Sequence, residues 1–174
     1  MNHLEQLVAE WLEFKGYFIR RNVKVGRLPH GGHEGELDVV AYHPIENRLI
    51  HIETSTDAGT WLKREERFKK KFETGHKYII PEILPWLPHN KTFEQWAVLW
   101  GSDRHHPTIG GGKVVPVRKL YRMIAEDIVA LEKKGNRAVP EQFPLLRTMQ
   151  YTLRYATPNR IEKEDAEPFA RRRR

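Results

Sequence analysis

The 174-residue chain contains no cysteine. A disulfide framework is therefore excluded, and no thiolate is available as a metal ligand or nucleophile. This is in keeping with a cytoplasmic setting, which is the expected location. Long apolar runs are also missing: no stretch approaches the roughly 18–20 residues that span a bilayer. The N-terminus passes through Asn2, His3 and Glu5 directly into amphipathic sequence, without an apolar leader. No membrane partner is expected. Internal repeats are absent too, so repeat architectures fall away.

What is present suits one compact α/β domain over residues 1–157, followed by a polar, basic tail over 158–174 that ends in four arginines. Lys and Arg number 30 against 23 Asp and Glu, giving a formal charge of +7. Such a surplus favours polyanionic partners through phosphate neutralisation, although many basic proteins have none.

Leu4, Leu7, Val8, Trp11 and Leu12 recur at helical spacing, which predicts a helix over 4–15 stopped by Gly16. Strands are expected over 17–25, 36–42 and 48–54, the first two joined by a glycine-rich loop over 26–35 and the last two by a turn over 44–47. A helix capped by Asp57 or Thr60 should reach Thr74 and close at Gly75, with a short extended segment over 78–80. Further strands at 96–100 and 114–117, separated by a loop over 102–112, lead to helices over 119–134 and 144–155. Strands mixed with helices imply a sandwich of layers around a central mixed sheet.

Two acids stand out because they interrupt sheet-like runs. Asp38 lies in Glu36-Leu37-Asp38-Val39-Val40, and Glu53 lies in Ile50-His51-Ile52-Glu53-Thr54. Carboxylates suit a sheet interior only when something satisfies their charge. Alternation places Asp38 with Val40 on one face, and Glu53 with His51. A hairpin turned at 44–47 makes the two acids cross-strand neighbours. Two close carboxylates repel, and a divalent cation resolves this by taking an oxygen from each, with the Thr54 carbonyl as a third donor. The same acids could instead pair with Arg20, Arg21 or Lys24, or sit on a solvated face.

The stretches EQLVAEWLEFKGYFIRRN, EGELDVVAYHPIENRLIHIETS, WAVLWGS and KVVPVRKL together resemble the PD-(D/E)XK nuclease superfamily, close to its Holliday junction resolvase-like branch. The resemblance covers about Glu5 to Leu120. It implies a restriction-endonuclease-like three-layer sandwich and hydrolysis of phosphodiester bonds in DNA with Mg²⁺ or Mn²⁺. The implied metal ligands are Glu5, Asp38, Glu53 and the Thr54 carbonyl. Enzymes of this type often pair to handle two strands, so a homodimer is admitted, though no interface is legible. One departure matters: the family places a lysine two residues after the strand acid, and this chain has Ser55 there. Some members carry that lysine on a neighbouring helix, and Lys63 is the candidate substitute. Loss of cleavage with retention of nucleic-acid binding is the alternative outcome.

From Lys63 to Lys77 there are seven basic residues against three acids. Lys63, Arg67 and Lys70 fall at i, i+4 and i+7, with Lys71 beside them, a stripe suited to phosphate contact. Its alternative is a solvated face balanced by Glu65, Glu66 and Glu73. His30 and His33 on the glycine loop, and His51 next to Glu53, are further candidates for phosphate contact. The run Gly110-Gly111-Gly112-Lys113 lacks the ending of a phosphate loop and is read as a turn before a strand.

Overall fold

The computed structural model describes residues 2–57, 59–135 and 138–156. The boundary expected at residue 157 and the basic tail lie outside them. The chain divides into two compact units, Met1–Tyr121 and Arg122–Arg174.

The first unit is built on a six-stranded mixed sheet in the order β1-β2-β3-β4-β6-β5. Its strands are β1 (Phe18–Arg27), β2 (His33–His43), β3 (Arg48–Ser55), β4 (Glu94–Leu99), β5 (Thr108–Ile109) and β6 (Gly112–Pro116). The β1–β2 and β2–β3 pairs are antiparallel; β3–β4 and β4–β6 are parallel. Helix α1 (His3–Phe14) begins with a capping box in which the Asn2 side chain accepts from the Leu4 and Glu5 amides and the Glu5 side chain reaches back to the Asn2 amide. Its stripe of Leu4, Leu7, Val8, Trp11 and Leu12 is buried.

Helix α2 (Trp61–Tyr78) covers the face that carries His51 and Glu53. Phe68 and Phe72 anchor it, packing with Ala97, Leu99, Ile109 and Val114. Burial of two such rings stabilises the docking by about 1.5–3 kcal/mol each. A second cluster joins Val25, Leu37, Val40 and Leu49 to Ile79, Ile80, Ile83 and Leu84, which follow the helix.

Three expectations are corrected. The loop expected over 26–35 shrinks to 28–32, because β1 and β2 continue pairing through Val25↔Gly35 to Arg27↔His33. Gly75 does not close α2. It sits within the helix because a Cβ there would come within 2.5 Å of His51 Cε1, so glycine permits close approach of helix to sheet. The segment around 78–80 is not extended: α2 runs on into a π-helical turn, Ile79–Ile83, where the Leu84 amide reaches the Ile79 carbonyl at 2.9 Å. Of the two expected caps, Thr60 holds the N-cap position without a side-chain bond, and Asp57 instead accepts from Arg67.

In the second unit, α4 (Pro144–Tyr155) starts with proline at its first turn, where no amide partner is lost. Gln150 accepts from the Val139 amide at 2.8 Å, and Arg147 donates to the Val139 carbonyl at 2.6 Å. Helix α3 (Val117–Lys133) links the units in sequence. Among the described residues, no helix is long and apolar enough to cross a membrane.

Candidate functional site

Register brings the two strand acids together. The β2–β3 ladder runs from His43↔Arg48 to Val39↔Ile52, so the next step sets Asp38 beside Glu53. Both are buried, Glu53 completely and Asp38 at 7% exposure. Asp38 Oδ2 accepts from the Thr54 amide at 2.8 Å and from its hydroxyl at 3.3 Å. Glu53 Oε1 accepts from His51 Nε2 at 2.7 Å and from the Asp38 amide at 3.3 Å. One oxygen of each acid is thereby held by the protein framework. The other two, Asp38 Oδ1 and Glu53 Oε2, both receive the Lys71 ammonium, at 2.8 Å in the case of Asp38.

Lys71 reaches the acids from α2 with its side chain 31% exposed, so the amine has a route to solvent. A cavity of about 320 Å³ opens over it, edged by Asp38, Arg67, Lys70 and Lys71 together with Glu34 and Glu36. Burial, and then the neighbouring Glu53 charge, push the Asp38 carboxyl above the usual aspartate range; Lys71 opposes this without overcoming it. For Glu53, burial acts upward but the His51 hydrogen bond and Lys71 outweigh it, and its pKa lies below the ordinary value. Burial acts downward on Lys71, and the two carboxylates outweigh it and keep the ammonium charged. One ammonium is shared by two carboxylates, so at Asp38 the Glu53 charge adds to the larger effect of burial.

His51 is fully buried. Its Nδ1 lies 3.1 Å from Gln95 Nε2, and the same Gln95 nitrogen donates to the Phe72 carbonyl at 2.9 Å. That carbonyl can only accept, so it fixes the amide with its nitrogen toward the ring. Nδ1 therefore accepts and Nε2 carries the proton donated to Glu53. With both nitrogens engaged and no exposed surface, His51 cannot make the phosphate contact expected of it. Its place is beneath Glu53.

The other expected residues divide. Glu5 is engaged in the α1 capping box; Asn2 Nδ2 donates to it at 2.5 Å and lies 3.4 Å from Thr54 Oγ1, so the helix acid stands behind Thr54. Ser55 is buried and accepts from Arg67, which also pairs with Asp57. Lys63 is exposed in the first turn of α2, two turns before Lys71, and Lys70 is exposed on the cavity edge. His30 and His33 are exposed at the tip of the β1–β2 hairpin, outside the cavity lining. Sequence reasoning assigned Lys71 to the phosphate stripe and not to the acids. The available signal was its spacing: Phe68 and Phe72 mark the sheet-facing stripe, and position 71 lies one turn from Phe68 and next to Phe72.

Among the described residues no three His, Asp or Glu side chains gather as a metal-ligand cluster. The donor chemistry is nevertheless suited to a hard cation. Two carboxylate oxygens converge on one stand-in cation, the Lys71 ammonium, and Mg²⁺ is commonly held by one or two carboxylates with waters and substrate phosphates completing the shell. No family model matches the chain, and neither a curated protein nor a solved structure is found to be similar to it.

Proposed function

We propose that the chain is a metal-dependent endonuclease of the PD-(D/E)XK type, acting on DNA, with Asp38 and Glu53 holding Mg²⁺ or Mn²⁺ and Lys71 acting as the displaced motif lysine. What carries this reading is the convergence of two buried acids from adjacent strands on one amine at the foot of a cavity edged by Arg67 and Lys70. A generic ion pair would need one acid for one amine. Here two acids share one amine, and a divalent cation would compensate the second carboxylate once it ionises.

A bound divalent cation would supply Lewis-acid stabilisation of the phosphate and ease ionisation of an attacking water. The chain's own groups do the rest. The Thr54 amide aims Asp38, leaving Oδ1 toward the cavity. His51 keeps Glu53 oriented and ionised. The Lys71 ammonium has three donors and transfers part of its bonding from the acids to a non-bridging phosphate oxygen as charge develops there. Lys70 and Arg67 contact the flanking phosphates and set the strand across the cavity.

The test is cleavage of duplex, branched and single-stranded DNA with Mg²⁺ or Mn²⁺, comparing wild type with Asp38→Asn, Glu53→Gln, Lys71→Met and Lys63→Met. The acid substitutions should abolish cleavage. Lys71→Met should lower the rate by about 10²–10³-fold, as loss of a transition-state donor does, and Lys63→Met should leave it within a few-fold. Binding without cleavage in every metal would instead identify a silent binder, in which the Lys71 pair has closed the site.

A further inference from the structure

A second concavity lies on the same side of the sheet as the acids. It encloses about 400 Å³ and is almost wholly apolar, with Val40, Tyr42 and Leu84 forming its floor and Phe18, Arg20 and Trp86 its rim. Phe18 is 70% exposed and Trp86 is 68% exposed. Phe18 stands opposite Tyr42 and Arg20 opposite Val40 in the β1–β2 register. Val40 is two residues from Asp38 on the same face of β2, about 7 Å along the strand. Trp86 follows the π-helical turn that continues α2, so the helix carrying Lys71 also leads to the wall of this hollow.

We propose that this hollow binds an unpaired nucleobase, so that the substrate of the nuclease site carries a single-stranded or flipped-out nucleotide. The inference rests on the nucleic-acid reading above. Two exposed rings facing an apolar floor give a base a stacking platform, and stacking of this kind is tolerant of base identity. The backbone attached to that base needs cations, and β1 supplies them: Arg20 lines the hollow and Lys24 and Arg27 follow along the strand, while Arg21, next to Arg20, turns to the opposite face. Arg21 pairs with Glu13 at 2.8 Å, whereas Arg20, Lys24 and Arg27 have no ion-pair partner among the described residues. The same charges disfavour a second copy of this chain as the occupant, because β1 is an outer strand and a twin would set one basic strand against another.

The test uses the full chain in EDTA, so that binding is read without cleavage. Fluorescence anisotropy is followed with a labelled oligothymidylate and with a blunt duplex of equal length. Phe18→Ala and Trp86→Ala, both at exposed positions, should each weaken oligothymidylate binding by about tenfold and change duplex binding by less than twofold. Arg20→Gln should lower the salt slope for the single strand by about 0.7. Far-ultraviolet dichroism and melting temperature confirm that each variant is folded. Unchanged single-strand affinity in both aromatic variants overturns the proposal while leaving the nuclease reading intact. Equal losses on both substrates overturn it as well, since stacking of an unpaired base would not weaken a blunt duplex. A wild type that binds neither substrate overturns the proposal, while cleavage with Mg²⁺ or Mn²⁺ decides the nuclease reading separately. A dimer in sedimentation that Phe18→Ala or Trp86→Ala dissociates would reassign the hollow to self-association.

Discussion

Replacing Gly75 with alanine sets two physical rules against each other. Gly75 is interior to α2, where alanine is favoured over glycine by about 1 kcal/mol, so helix propensity alone forecasts a more stable protein. The packing forecasts the reverse. The added Cβ would stand within 2.5 Å of His51 Cε1, closer still to Nδ1, and 3.3 Å from Gln95 Nε2. The ring cannot yield easily, being fully buried, bonded at both nitrogens and edge-on to Phe72 at 5.5 Å. Overpacking of this kind costs about 1–3 kcal/mol, and loss of the His51–Gln95 hydrogen bond adds about 1 kcal/mol. Set against the propensity gain, the net destabilisation is about 1–3 kcal/mol, a fall in Tm of roughly 3–10 °C for a chain of this size. Thermal melts of Gly75→Ala are read in the wild-type background and in His51→Ala. With the ring gone, the same substitution should become neutral or stabilising, so the cycle should show coupling of opposite sign to propensity. A Tm that rises in the wild-type background, or an effect equal in both, would refute the close approach of α2 to β3.

Asp38→Asn should abolish cleavage yet raise Tm in EDTA near neutral pH. The folded pKa of Asp38 lies above its unfolded value, so the fold holds the extra proton, and this group's contribution to stability falls as pH rises from the ordinary aspartate range of about 4 through the folded pKa. The stability gap between Asp38→Asn and wild type should therefore widen across that window and then level off; a gap that narrows with pH contradicts it. Lys63→Gln and Lys70→Gln, at exposed positions on α2, should each lower the salt slope of duplex binding by about 0.9 if they meet phosphates, and an unchanged slope assigns them to plain solvent exposure. Phe72→Ala should cost about 3–5 kcal/mol in urea melts because the ring is 1% exposed between α2 and β6; a loss below 1 kcal/mol would mean the helix is not docked by it.

The hairpin and its acids were legible because strand alternation and a four-residue turn determine register almost unaided. Asp38 and Glu53 follow from counting outward from 44–47. The basic face of α2 was legible for the same reason, since Phe68 and Phe72 mark its buried side. What could not be read was distance through space. Gly75 looked like a stop signal, because nothing local reveals that a histidine from another strand sits under it. Lys71 looked like one more surface cation, because its role depends on how the helix crosses the sheet. His51 looked like a surface contact because its partner Gln95 lies on β4, 44 residues away. The π-helical turn at Ile79–Ile83 was hidden by Pro81 and the isoleucines, which suggest extended backbone when taken alone.

A lysine is among the least accurately aimed of side chains, with a charge at the end of four freely turning carbons. In this chain its aim comes from elsewhere on the helix. At Gly110 an added Cβ would meet the Phe68 carbonyl carbon at 2.6 Å, and Gly75 rests against His51, so α2 is seated on backbone-close contacts on either side of position 71. A slip of one residue along a helix carries each side chain about 1.5 Å forward and about 100° around, which would swing the amine off both acids. Two absent methyl groups thus do the aiming that a strand would do for a lysine of its own. The serine at position 55 is then free to hold Arg67, and the chain can take its cation from a different layer of the fold without loosening where that cation sits.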